Sequence, residues 1–272
     1  MPLLAAVLGD PVDHSLSPLL HGHWLQRHAI NGHYIPIRVS PDGLQQALEC
    51  LPRLGFSGVN VTVPLKESAL QLADNATETA RRIGAANMLT FTSQGIHANN
   101  TDAYGFTWNI RDALPDWRPR RAAVLGAGGA SRAVLAALLD QGAKEIFLTN
   151  RSPDRAHALA RAFGANVKTI AWKDRHAMLE GCDTLVNATA LGMTGKPALE
   201  IQLDALPYNA LVTDLVYSPL ETRLLVAARG RGNKVVDGLG MLLHQAVPVF
   251  ERWFGTTPAV DETLRQTILR PR

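Results

Sequence analysis

The sequence predicts an α/β chain of two domains. Apolar runs of strand length alternate with helical segments along the whole chain, and a glycine-rich strand–turn–helix unit begins in mid-chain, leaving room for a separate domain before it. Composition permits this plan. The 272 residues are 46% hydrophobic and 19% charged, enough for two buried cores and against global disorder.

In the first half, Leu3 to Gly9 is apolar and bounded by Gly9-Asp10-Pro11, so it reads as a buried strand. H-S-L-S-P-L-L-H follows and turns helical after Pro18. Ser15 and Ser17 lie just before or at that helix start, where serine commonly caps. His33 to Val39 is a second strand, about Gly43 to Leu54 a helix, and Gly55 to Lys66 a third strand closed by Pro64, with Lys66 opening the next helix. This alternation predicts a mostly parallel first sheet. Glu67 to Arg82 reads as a short helical region. G-A-A-N-M-L-T-F reads as a strand with Asn87 at its start, Ile96 to Asp102 as a short strand and turn, and about Ala103 to Leu114 as a helix before a linker at Pro115 to Pro119.

The mid-chain unit is A-A-V-L-G-A-G-G-A-S-R, Ala122 to Arg132. Gly126 provides a sharp bend, and Gly128 and Gly129 let backbone approach a pyrophosphate at the N-terminus of the following helix. A further strand, Glu145 to Arg151, completes a β-α-β unit of Rossmann type. Ser131 stands where the dinucleotide fingerprint has its third glycine. At the end of the second strand, NAD sites place an acid for the ribose 2′-hydroxyl. Here stand Asn150, Arg151 and Ser152, with Arg155 one turn on, a set suited to a 2′-phosphate. NADP is therefore expected over NAD.

Helix Pro153 to Phe163, strand Val167 to Ile170, helix Trp172 to Leu179 and strand Asp183 to Thr189 continue the pattern. Ala210 to Tyr217 reads as a strand carrying Leu215 and Tyr217 at its end, Pro219 opens a helix to about Arg229, and Lys234 to Met241 is the last strand and turn. Helices at about Leu242 to Trp253 and Asp261 to Leu269 close the chain. In open α/β sheets, ligands bind beyond the carboxyl ends of strands. Ser15, Thr62, Lys66, Asn87 and Asp102 fall near such ends in the first domain, and Thr189, Leu215 and Gly238 in the second, so a cleft between the domains is the simplest site.

Net charge is +3 and the pI about 9.0, which suits anionic small ligands. No basic stripe interleaves with aromatics, against a nucleic-acid reader. Two distant cysteines argue against disulfides and thiolate metal sites and for a reducing compartment. With no signal peptide and no membrane-length apolar segment, a cytoplasmic protein is expected, without a membrane partner and without a metal. A homodimer is admitted, but the oligomeric state is not fixed by the sequence.

Read together and in order, H-S-L-S-P (His14 to Pro18), G-V-N-V-T-V-P-L-K (Gly58 to Lys66), A-A-N (Ala85 to Asn87), N-T-D-A-Y-G (Asn100 to Gly105), G-A-G-G-A-S-R, T-N-R-S, N-A-T and D-G-L-G-M-L-L-H-Q-A (Asp237 to Ala246) resemble the shikimate dehydrogenase family over nearly the whole chain. The resemblance implies a substrate domain from 1–102 with 241–272 and an NADP-binding Rossmann-like domain from 103–240. It implies NADPH-dependent reduction of 3-dehydroshikimate to shikimate, in aromatic amino-acid synthesis. By resemblance, Ser15 and Ser17 bind the substrate carboxylate. Thr62, Asn87 and Gln245 hold ring hydroxyls, with Asn60 and Tyr217 nearby, and Lys66 and Asp102 form the acid–base pair. Gly126, Ala127, Gly128, Gly129 and Ala130 form the pyrophosphate loop, and Asn150, Arg151, Ser152 and Arg155 the adenosine-phosphate site. Thr189, Leu215, Gly238 and Met241 line the nicotinamide side, leucine standing at 215 where the family often has methionine. Runners-up are a quinate/shikimate dehydrogenase, a non-catalytic NADP-binding regulator on the same fold, and a folate-linked dehydrogenase.

The residues also make chemical sense by themselves. Hydride leaves an alcohol carbon only as its hydroxyl loses a proton, so a group must take that proton and return it in reverse. Lys66 can do so, with Asp102 bonding the same hydroxyl and orienting it. A lysine at a helix start faces the positive end of the dipole, which favours function over a plain surface role. For Asp102 the competing role is an N-cap. Ser15 and Ser17, two residues apart on extended backbone, would turn both hydroxyls toward one carboxylate.

Overall fold

A computed structural model describes residues 1–270, so the last two residues of the expected segment 241–272 lie outside the described residues. The chain divides into two compact units, Met1–Gly105 with Leu242–Arg272 (unit 1) and Phe106–Met241 (unit 2).

Unit 1 starts with β1 (Leu3–Gly9), α1 (Ser17–Arg27), β2 (Gly32–Arg38), α2 (Leu44–Cys50), β3 (Phe56–Val61), α3 (Lys66–Gln71), β4 (Asn75–Ala76), α4 (Glu78–Ile83), β5 (Met88–Thr92) and β6 (Gly95–Asn99). The sheet order is β2-β1-β3-β5-β6-β4. β1 runs parallel to β2 and β3, because each crossover carries a helix. β5 runs antiparallel to β3 and to β6. The β5–β6 reversal follows from a two-residue connection, in which the Thr92 hydroxyl accepts from the Gln94 N–H and donates to the Gly95 carbonyl. The expected helical region Glu67 to Arg82 is corrected: β4 interrupts it, and Thr77 caps α4 by accepting from the Ala80 N–H. Fully buried Leu8, Leu44, Leu65 and Leu89 belong to one core cluster on this sheet.

α5 (Asp102–Ala113) begins in unit 1 and ends in unit 2. Unit 2 contains β7 (Arg121–Leu125), α6 (Gly129–Asp140), β8 (Glu145–Thr149), α7 (Pro153–Phe163), β9 (Val167–Ile170), β10 (Thr184–Asn187), β11 (Leu211–Asp214), α8 (Arg223–Gly230) and β12 (Lys234–Val236). α9 (Leu239–Phe254) returns to unit 1, which α10 (Glu262–Leu269) completes. The unit 2 sheet is parallel throughout, ordered β12-β11-β10-β7-β8-β9. Its central strands β7 and β10 are buried along nearly their whole length, as a sheet covered on both faces requires.

Three segments of unit 2 differ from the sequence reading. Trp172 to Leu179 forms two 3-10 turns, Trp172–Asp174 and Ala177–Leu179, not an α-helix. The Arg175 guanidinium bonds the Trp172 and Glu200 carbonyls there and lies over the Trp172 ring. β11 stops at Asp214 rather than running to Tyr217, because the Asp214 carboxylate takes the Val216 N–H that a ladder would use. α8 starts after Thr222, whose hydroxyl accepts from the Leu225 N–H, not at Pro219.

Among the described residues, no helix is long and apolar enough to cross a membrane, and no group of three or more His, Cys, Asp or Glu side chains could hold a metal ion. Cys50 is exposed at the end of α2. Cys182 is buried in the unit 2 core, where desolvation pushes its thiol up to about 12.

Candidate active site

Unit 1 gathers most of the sequence-named polar residues into one network. Lys66, the first residue of α3, donates from Nζ to Asp102 Oδ2 at 2.5 Å. The two side chains are 15% and 8% exposed, so the pair is sheltered yet reachable. The other oxygen of Asp102 accepts from Asn87 Nδ2 at 2.9 Å. Asp102 does not act as a cap, since its carboxylate is taken by Lys66 and Asn87 and its own N–H is received by Asn100 Oδ1 at 3.0 Å.

Asn87, just before β5, is the hub. Its Nδ2 also faces Thr101 Oγ1 at 2.9 Å and Gln245 Oε1 at 3.2 Å, and its Oδ1 accepts the Thr101 N–H at 2.8 Å. The Asn87 carbonyl accepts from Asn60 Nδ2 at 2.8 Å, and Asn60 Oδ1 accepts from the Tyr34 hydroxyl at 2.7 Å. Ser17 in turn bonds the Tyr34 oxygen, and burial pushes the Tyr34 hydroxyl well above its ordinary range. Ser17, Asn60, Asn87, Lys66, Asp102 and Gln245 are thus connected, with Tyr34 and Thr101 as links that are not among the sequence-named site residues.

The serine pair does not sit on extended backbone, which corrects the sequence expectation. Leu16 is helical and Ser17 is the first residue of α1, where Pro18 fixes the backbone without donating an N–H. Ser15 Oγ accepts from the Ser17 N–H at 3.3 Å, so it does local work at the helix start, while the Ser17 side chain is free of capping. Thr62 is half-buried, and its hydroxyl makes no hydrogen bond among the described residues.

Behind Tyr34 lies His21, wholly buried, its ring stacked on the phenol at 4.0 Å between centroids and 3° from parallel. Neither ring nitrogen has a hydrogen-bond partner, and burial lowers the imidazole to about 3. It is a neutral packing group.

In unit 2, Gly126 has φ 106°, a left-handed conformation, and a Cβ there would lie 2.8 Å from the Ala188 carbonyl oxygen. At Gly128 a Cβ would meet nothing within 4 Å, so the space before α6 is open to close backbone approach. Ser131 is wholly buried and accepts the Gly128 N–H at 3.2 Å, so it packs like the missing glycine and also fastens the turn. Asn150 accepts from the Ala127 N–H at 3.2 Å and donates to the Ser152 carbonyl at 3.0 Å, tying the end of β8 to the glycine turn. Arg151 and Arg155 are exposed and make no ion pair among the described residues. Two unneutralised cations beside an open helix N-terminus suit a phosphorylated dinucleotide.

Thr189, Leu215, Gly238 and Met241 lie beyond the ends of β10, β11 and β12, near the start of α9. Tyr217 also lies in unit 2, half-buried and apart in sequence from the unit 1 network. The acid of this region, Asp214, stands inside an apolar run and carries no signal in the sequence. It is wholly buried, and desolvation raises its carboxyl despite hydrogen bonds from Thr222, Val216 and Asn187.

Residues 7–89 match the family model described as the shikimate dehydrogenase substrate binding domain, and residues 110–194 that described as shikimate / quinate 5-dehydrogenase. A relative in Paracoccus denitrificans named "Shikimate dehydrogenase (NADP(+))" is 55% identical over 269 residues, covering 98% of this chain and 95% of that protein. The crystal structure of shikimate 5-dehydrogenase from Thermus thermophilus, in complex with NADP(H) and shikimate, is 37% identical with a TM-score of 0.87, covering 98% of each chain. Quinate dehydrogenase from Corynebacterium glutamicum, in complex with NAD, is 31% identical with a TM-score of 0.91, covering 98% of this chain and 99% of that one. With both units matched and the identity running end to end, the chain belongs to the shikimate dehydrogenase family.

Proposed function

We propose that this protein is an NADP-dependent shikimate dehydrogenase, interconverting 3-dehydroshikimate and shikimate. The observation that carries this is the Lys66–Asp102 pair at 2.5 Å, sheltered and joined to Asn87 and Gln245. NADPH, when bound, supplies the hydride. As the substrate carbonyl carbon receives it, negative charge grows on the oxygen, and the Lys66 ammonium gives that oxygen a proton. In reverse, Lys66 recovers the proton from the hydroxyl. Asp102 holds Nζ in place and shares the same hydroxyl. Asn87, Gln245, Thr62 and Asn60 orient the ring, together with Tyr217. Ser15 and Ser17 replace the water lost by the substrate carboxylate, which would otherwise be poorly solvated. Residues Gly126 to Ala130 hold the pyrophosphate, Asn150, Arg151, Ser152 and Arg155 the 2′-phosphate, and Thr189, Leu215, Gly238 and Met241 line the nicotinamide side.

One assay tests this: NADP⁺ reduction with shikimate, then with quinate, each repeated with NAD⁺. Turnover with shikimate and NADP⁺ supports the proposal. Turnover with quinate alone would replace it by the second reading, which the likeness to a quinate dehydrogenase favours next. No turnover with either would turn attention to a cofactor-binding regulator, against which the intact Lys66–Asp102 pair argues. A cytoplasmic location and a homodimer complete the proposal, the latter checked by sedimentation.

A further inference from the structure

Asp214 has no role in the proposal above, yet it is wholly buried and accepts three hydrogen bonds. Its Oδ1 accepts from Asn187 Nδ2 at 2.9 Å and from the Val216 N–H at 3.0 Å, and its Oδ2 accepts from the Thr222 hydroxyl at 2.7 Å. All three donors are neutral. Burying a carboxylate without a cation is costly, and an apolar residue would fill the same space more cheaply. The geometry shows what the acid does instead.

The three donors tie Asp214 to two loops, Asn187 to the one after β10, Val216 and Thr222 to the two ends of the one after β11. Asn187 ends β10, and its Oδ1 accepts both the N–H of Thr189, at 3.1 Å, and its hydroxyl, at 2.7 Å. Val216 follows Leu215 in the loop after β11. Thr222 caps α8, at the far end of that loop. The neighbouring loops lean on these two. The turn at Gly126, after β7, rests against Ala188 and Thr189, and Gly238, after β12, is so close to Leu215 that a Cβ would lie 2.4 Å from its carbonyl oxygen. Since β12, β11, β10 and β7 are consecutive in the sheet, four loops at its carboxyl edge form one continuous lip. Asp214 joins the middle two.

We propose that Asp214 is a positioning residue for the nicotinamide end of the NADP site, acting through Asn187 on Thr189 and through the Val216 backbone on Leu215. This rests on the NADP assignment made above. Asp214 itself need touch neither cofactor nor substrate. The adenosine end, at Arg151 and Arg155, lies beyond the other edge of the glycine turn, after β8, and is outside the tie.

The test compares two ligands. NADP⁺ spans both ends, whereas adenosine 2′,5′-bisphosphate has only the phosphorylated adenosine. Asp214→Asn keeps the shape but must turn an amide NH₂ toward one former donor, and Asn187→Ala cuts the link to Thr189 without emptying the centre of the tie. Each variant should weaken NADP⁺ by about ten-fold, the loss of one hydrogen bond to a charged group, and leave adenosine 2′,5′-bisphosphate binding unchanged. Asp214→Ala should do more, and if it does not fold the other two variants decide. Equal weakening of both ligands would mean a general loss of unit 2 structure and would overturn the proposal, as would unchanged binding of both. Wild-type protein that binds neither ligand would overturn the NADP assignment itself, and the positioning role with it.

Discussion

Asp102 in unit 1 and Asp214 in unit 2 are both buried acids at the carboxyl side of a strand, and both bond an asparagine side chain. Asp102 lies three residues beyond β6, and Asp214 is the last residue of β11. Asp102 faces an ammonium at 2.5 Å and keeps an edge toward solvent, whereas Asp214 faces only neutral donors and is sealed. A carboxylate beside a lysine forms a unit that a third group can join, and a proton can then be passed. A carboxyl group among an amide, a hydroxyl and a backbone N–H has no charged partner with which to exchange a proton and serves as a fastener. The partners decide the role more than burial does.

Changing Lys66 to Met is the strongest test of the contrast. It keeps the stem and removes the ammonium, leaving Asp102 with neutral donors as Asp214 has. kcat should fall by about 10²–10⁴-fold, with a smaller change in KM. Near-normal kcat with poor KM would make Lys66 a binding residue.

Acid sharpens the comparison from another side. His21 is neutral in the folded protein, lowered to about 3, while the unfolded chain takes up a proton near 6.5. Its contribution to stability is therefore complete above about pH 6.5 and is lost as pH falls toward 3, amounting to about 2 kcal/mol by pH 5. Asp214 has the opposite sign, because its raised carboxyl holds a proton that the unfolded chain has released above 3.8, so its contribution declines as pH rises from there. Hydrogen exchange at about pH 5 should find α1 losing protection relative to its value at pH 8, and His21→Phe should abolish that loss. Equal protection at both pH values in the wild type would remove His21 from the account.

Substrate anchoring should show the next largest effect. Ser17→Ala and Ser15→Ala should each raise KM for shikimate by about ten- to a hundred-fold, with KM for NADP⁺ little changed. A lower melting temperature with normal KM would reduce Ser15 to its local bond with the Ser17 N–H. The smallest effect belongs to the exposed edge of unit 2. Arg151→Ala should raise KM for NADP⁺ by about ten-fold and leave KM for NAD⁺ alone, since Arg155 remains. Better use of NAD⁺ than NADP⁺ by the unaltered protein would refute the 2′-phosphate assignment.

The strands are legible in the sequence wherever a run is apolar on both faces: β1 spans the expected Leu3–Gly9, and β7 and β8 frame the glycine turn. Lys66 and Asp102 are legible because each stands a few residues beyond the carboxyl end of a strand, at the start of the following helix. Asp214 is not, because D-L-V-Y reads as continuing strand when Leu215, Val216 and Tyr217 are all good strand formers. One side chain bonding the N–H two residues on overrides that preference. Tyr34 and Thr101 escape a sequence reading for a related reason: their hydroxyls find partners on elements distant in sequence, Asn60 for one and Asn87 for the other. β4 has only two residues and no periodicity to read.

The two thiols have a practical meaning. Cys50 is exposed on unit 1, and Cys182 is sealed in the core of unit 2 with its proton firmly held. A maleimide should consume one equivalent at once in native protein. The second equivalent can be consumed only when the core around Cys182 opens, so its rate is a clock for that opening. NADP⁺ should slow the clock if it stabilises unit 2, and the delay would measure that stabilisation without any engineered probe.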